Sequence, residues 1–118
     1  MIRFEHLSKA FGSKEIYRDL NLAIQEGETL TVIGGSGAGK SVLLKCLIGL
    51  THPDEGRVIF QGQDVTDFAE EEYFEVRRKV AMVFQGSALF DSISVGDNIA
   101  YPLREQFPDM TEDDIRER

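Results

Sequence analysis

Between two apolar runs stands the segment Gly34-Gly35-Ser36-Gly37-Ala38-Gly39-Lys40-Ser41. The run before it, Thr29-Leu30-Thr31-Val32-Ile33, is short and rich in β-branched residues, which predicts a strand covered on both faces of a parallel sheet. The run after it holds Val42, Leu43, Leu44, Cys46, Leu47, Ile48 and Leu50 and predicts a helix buried on most sides, with Gly49 near its end as a cap. A strand that turns through glycines straight into a helix brings unpaired N–H groups to the sheet's carboxyl edge. The eight residues also fit the pattern G-x-x-x-x-G-K-S/T, the loop that cradles a nucleoside triphosphate.

The chemistry explains the residue types. A triphosphate carries several negative charges, and a helix amino end offers free N–H groups and the positive end of its dipole. Glycines let the backbone close on the phosphates. The amides from Gly35 to Ser41 surround them, with Gly34 opening the loop; Lys40 reaches the β and γ oxygens and the Ser41 hydroxyl ligates Mg²⁺. A flexible turn before a helix would need neither the lysine nor the hydroxyl at those offsets.

The 118 residues suffice for one domain with a real core and not for two. Hydrophobic content of 42% and charged content of 29% are those of a globular chain, which argues against disorder and against a membrane span. Met1 leads directly into the alternating Ile2-Arg3-Phe4-Glu5, without a secretion signal, so the product is expected inside the cell. The formal net charge of −8 argues against a nucleic-acid partner. Cys46, the single cysteine, excludes an internal disulfide and is read as core filling. His6 and His52 have no cysteine neighbours and receive no metal role.

Elsewhere the pattern predicts an antiparallel layer. Leu20, Leu22 and Ile24 alternate with polar residues as a half-buried strand, and Pro53-Asp54-Glu55-Gly56 reads as a turn into the strand Arg57–Gln61. Asp67, Glu70, Glu71, Glu72 and Glu75 precede Arg77, Arg78 and Lys79, the charge order that suits a solvated helix. Val80-Ala81-Met82-Val83-Phe84 predicts a second buried strand, and Gly86 to Pro102 a long mixed segment. Thr111 followed by Glu112, Asp113 and Asp114 predicts a helix start.

With these elements placed, the chain resembles the amino-terminal half of an ABC-transporter ATP-binding subunit, over nearly all of Ile2 to Arg104. The resemblance implies an α/β phosphate-loop NTPase core carrying an antiparallel β subdomain, with 1–118 forming the amino-terminal part of one such domain. Phe11, in Leu7-Ser8-Lys9-Ala10-Phe11-Gly12, falls where the family places the aromatic that stacks on adenine; from the residues alone a core aromatic in a hairpin is the favoured reading, and only the resemblance reverses it. Gln85, in Val83-Phe84-Gln85, falls at the family's glutamine loop, whose side chain touches Mg²⁺ and the attacking water. Lys40 and Gln85 are the implied catalytic groups, with Ser41 and Gln85 on the metal. Val42 stands where many members have a threonine; its N–H remains, so a weaker α-phosphate contact is implied.

More narrowly, Phe84-Gln85-Gly86-Ser87-Ala88-Leu89-Phe90-Asp91-Ser92 with Asp97-Asn98-Ile99-Ala100-Tyr101-Pro102-Leu103-Arg104-Glu105 resembles the Mla and toluene-tolerance subgroup. That likeness implies lipid transport on the cytoplasmic face of a bacterial inner membrane, with a transmembrane permease, a second ATP-binding subunit and an MCE-domain lipid-binding protein as partners. ATP and Mg²⁺ are the implied cofactors. The family's signature motif, Walker B aspartate with its catalytic glutamate, and switch histidine do not occur in this sequence, so the 118 residues alone are expected to turn over little ATP. Family topology sets the absent strands between or beside the two apolar runs, so open apolar edges and self-association are expected. A nucleotide-binding module without turnover, or an unrelated phosphate-loop kinase or GTPase, are the alternatives; the latter lacks an N-K-x-D segment here.

Overall fold

The computed structural model describes residues 1–86 and 88–118; Ser87, part of the Mla-like segment, lies outside the described residues. The chain divides into two compact units, Met1–Val80 and Ala81–Arg118.

The first unit is built on a hairpin of β1 (Ile2–Phe11) and β2 (Lys14–Ile24), turned at Gly12 with φ +59°. Strand β3 (Glu55–Phe60) pairs with the other edge of β1, and the short β4 (Gln63–Asp64) pairs with β3. The sheet order is β2-β1-β3-β4, with every pair antiparallel. Strict alternation fails in β1, where Phe4 and Leu7, three residues apart, are both buried. A bulge explains it. Phe4 pairs with Leu22 and Leu7 with Leu20, so three steps on β1 face two on β2, and His6 takes a left-handed φ of 51°. The extra residue returns Leu7 to the core face. The His6 amide, freed from the ladder, donates to Asn21 Oδ1 at 2.9 Å.

Helix α1 (Lys40–Leu47) lies against β3, and α2 (Glu70–Lys79) is tied to the segment after β4, where the Tyr73 hydroxyl donates to the Val65 carbonyl. Leu43, Cys46 and Leu47 of α1 join Phe4, Leu7, Val58 and Val65 in the core. Burial pushes the Cys46 thiol up to about 11, which suits packing and not nucleophilic chemistry. Gly49 closes α1 with φ +72° while the Leu50 amide reaches back to the Lys45 carbonyl at 2.9 Å, the left-handed cap that glycine supplies. The acid-to-base charge order forms α2, where Glu72 Oε2 accepts from the Ala69 amide at 2.7 Å. Tyr73 and Val76 are its buried residues.

Two predicted strands are absent. Thr29–Ile33 and Val80–Phe84 carry no strand pairing, and Ile33 and Val83 are 91% and 94% exposed. Apolar runs report what a segment would bury, but a strand exists only where a neighbour supplies its hydrogen-bond ladder. Among the described residues, neither run has that neighbour.

The second unit contains α3 (Val95–Gln106) and α4 (Glu112–Glu117). The mixed segment Gly86–Pro102 therefore becomes helical from Val95 onward, a correction to the expectation. Ser94 Oγ caps α3 by accepting from the Asp97 amide at 3.1 Å, and Asn98 exchanges two bonds of 2.8 Å with the Phe90 backbone. Arg104 bridges Asp97 and Glu112 at 3.1 and 2.9 Å, tying α4 to α3. Thr111 caps α4 as expected, accepting from Asp114 at 3.2 Å. Among the described residues, no helix is long and apolar enough to cross a membrane.

Candidate functional site

The segment Gly34–Ser41 forms a turn that runs into the first residue of α1. The Ala38 amide donates to the Gly35 carbonyl at 3.1 Å, and Gly37 and Gly39 take φ values of +77° and +99°. These angles suit glycine and are costly for residues with a β-carbon. Gly39 is the N-cap of α1 and has no side chain to cap with; its carbonyl accepts from Val42 at 2.9 Å and Leu43 at 3.4 Å. Among the described residues, the amides of Gly37, Gly39, Lys40 and Ser41 find no protein acceptor. They stand at the positive end of the helix dipole.

Lys40 folds back over this turn, its ammonium donating to the carbonyls of Gly34 at 2.6 Å and Gly35 at 2.7 Å. The Ser41 hydroxyl is exposed in the first helical turn, and Val42 behind it is half-buried. Unpaired amides, an ammonium and a free hydroxyl make a donor set matched to phosphate oxygens and a hydrated divalent cation.

The tip of the β1–β2 hairpin overhangs the same turn. Phe11 pairs with Lys14, and the Lys14 ammonium lies so near Gly37 that a β-carbon there would sit 2.9 Å from it. Ile16 and Tyr17 press on Gly39: a β-carbon on that glycine would overlap Ile16 Cγ2 and come within 3.1 Å of the Tyr17 oxygen. Phe11 is 51% exposed, with the Lys9 ammonium 5.0 Å from its ring centroid, so it is not a core aromatic. Asp54 fastens this strand from below, accepting from the Ala10 amide at 2.7 Å and Lys9 at 3.0 Å. The Ala10 amide first, then Lys9, hold the Asp54 carboxyl below its ordinary range. Its charged form, and the tie it makes, persists at neutral pH and is lost as pH falls through that lowered range.

The structure thus gathers Gly34 to Val42 in one turn, with Phe11 on the hairpin whose tip overhangs it. Gln85 lies in a turn of the second unit with its side chain exposed. Sequence reasoning missed Lys14 and Tyr17. Each reads locally as an ordinary strand residue, and only the fold brings either to the loop.

The ABC transporter family model matches residues 17–117. Among curated proteins, the chain is 40% identical over 105 residues to the intermembrane phospholipid transport system ATP-binding protein MlaF of Haemophilus influenzae, covering 89% of this chain and 40% of that protein. It is 48% identical over 106 residues to the methionine import ATP-binding protein MetN of Legionella pneumophila, covering 90% of this chain and 31% of that one. Among solved structures, the dimeric bacterial ABC transporter cassette MJ0796 superposes with a TM-score of 0.88 at 31% identity, over 99% of this chain and 53% of that one. The chain belongs to the ABC transporter family and has the fold of the amino-terminal part of its ATP-binding cassette. It spans well under half the length of the curated relatives it matches.

Proposed function

We propose that this chain binds MgATP and forms the phosphate-holding part of an ABC-type ATPase that energises transport. The observation that carries the reading is the turn Gly34–Ser41, where unpaired amides, the Lys40 ammonium and the Ser41 hydroxyl converge at the start of α1. In this reading the amides of Gly35 to Ser41 hold the phosphates, and Lys40 leaves the Gly34 and Gly35 carbonyls for the β and γ oxygens. Ser41 holds Mg²⁺, Phe11 stacks on the base, and the Val42 amide meets the α-phosphate. Such groups act by position and electrostatics, since phosphoryl transfer asks for little else from a protein.

The test is calorimetric titration of MgATP into the protein as its gene encodes it. Lys40→Ala is expected to weaken binding about 10- to 100-fold, the value of a charge-assisted contact to phosphate. Equal affinities for variant and parent would remove the assignment.

For the transported substrate, we infer a phospholipid or related lipid, moved at the bacterial inner membrane with a permease, a second copy of the ATP-binding subunit and an MCE-domain lipid-binding protein. Support comes from the Phe84–Ser92 and Asp97–Glu105 segments and from the likeness to MlaF. The likeness to MetN favours a small-solute importer as the rival reading. ATP turnover by the natural complex in vesicles separates them: stimulation by phospholipid supports the first, and stimulation by methionine alone supports the second.

A further inference from the structure

We infer that Tyr17 is a positioning residue for nucleotide binding: its hydroxyl, donated to the Gly39 carbonyl, fixes the peptide plane that aims the Lys40 amide at phosphate. The inference rests on the MgATP reading and adds a residue outside the glycine-rich loop to it. Tyr17 lies in β2, and its phenol O–H donates to the Gly39 carbonyl oxygen from outside the helix. The carbonyl of Gly39 and the amide of Lys40 belong to one planar trans peptide, so their bonds point in opposite directions. Holding the oxygen against Tyr17 turns the Lys40 N–H the other way, among the unpaired amides of the loop.

The geometry at Gly39 makes such a hold useful. This residue caps α1 without a side-chain acceptor and sits at φ +99°, so neither a capping group nor a β-carbon restricts its peptide. The carbonyl accepts from the Val42 and Leu43 amides on the helix side, and the sheet adds a second restriction from outside the helix, through Ile16 against the Gly39 carbon and Tyr17 against its carbonyl. Tyr17 is half-buried, and burial raises its phenol above the ordinary value, so the hydroxyl stays a donor at neutral pH.

The experiment compares parent and Tyr17→Phe by MgATP calorimetry, thermal melting and the ¹⁵N resonance of the Lys40 amide in the protein as its gene encodes it. The variant keeps the ring and loses only the donor. Expected are a threefold to tenfold weaker MgATP affinity, of the order one hydrogen bond supplies, and a smaller MgATP-induced shift of the Lys40 amide. A second arm replaces Tyr17 with a fluorinated tyrosine whose phenol ionises near neutrality; its MgATP affinity should fall as pH rises through that ionisation, while the parent profile stays flat there. If Tyr17→Phe proves unstable, this arm alone decides. A parent that binds MgATP, with Tyr17→Phe matching its affinity or with the fluorinated protein showing no such pH dependence, overturns the positioning role. A parent that fails to bind MgATP overturns the functional reading itself.

Discussion

Gly39→Ala is expected to destabilise the first unit by roughly 2–5 kcal/mol and to abolish tight MgATP binding. The left-handed backbone at φ +99° disfavours any β-carbon by about 1–2 kcal/mol, and the new carbon would overlap Ile16 and crowd the Tyr17 ring, a further overpacking cost of about 1–3 kcal/mol. Relief would require the hairpin to lift or the loop to straighten, and either movement disperses the unpaired amides. Gly35→Ala is the control. That position has no left-handed φ and nothing within 4 Å of an added carbon, so its stability should stay within about 1 kcal/mol of the parent. Urea unfolding and MgATP titration of the two variants check both halves of the expectation; equal midpoints would refute the steric account.

Tyr73→Ala should be the most damaging change away from the loop, at about 3–5 kcal/mol. Tyr73 is 1% exposed, and its hydroxyl donates to the Val65 carbonyl at 2.5 Å. Its ring meets Phe68 edge-on at a centroid distance of 5.7 Å and covers Gly49 so closely that a β-carbon there would lie 2.5 Å away. Removing the ring opens a cavity behind the C-terminal cap of α1. Tyr73→Phe separates the two contributions, since it keeps the packing and removes one of the two donors to the Val65 carbonyl, the Phe68 amide at 3.3 Å remaining, at about 0.5–1.5 kcal/mol. For a domain whose total stability is on the order of 5–15 kcal/mol, the alanine variant should show a clearly lowered melting temperature. A variant melting with the parent would mean that the cap of α1 does not depend on this ring.

Local signals carried much of the fold. The phosphate loop, α1 with its Gly49 cap, the charge-ordered α2 and the Thr111 cap of α4 each depend on neighbours within a few residues, so their chemistry is written contiguously. Helix α3 hid because its cap, Ser94 with Asp97, sits among scattered apolar residues and Pro102 lies inside it. Thr29–Ile33 and Val80–Phe84 show the reverse: their apolar character predicts strands, whereas pairing is a property of two segments and neither has a partner among the described residues. The bulge at His6 was invisible for the same reason, since register belongs to β1 and β2 jointly. At the site, Gly34 to Val42 were legible from spacing, whereas Phe11 needed the family likeness and Tyr17 needed the folded hairpin.

Helix α1 is held from both directions: the hairpin grips its amino end through Gly39, and Arg77 of α2 donates to the Ile48 carbonyl at its carboxyl end, 2.9 Å away, while also pairing with Glu70. A two-turn helix fastened at both ends has little room to fray, so its amides should exchange with solvent more slowly than those of a helix of this length held at one end alone.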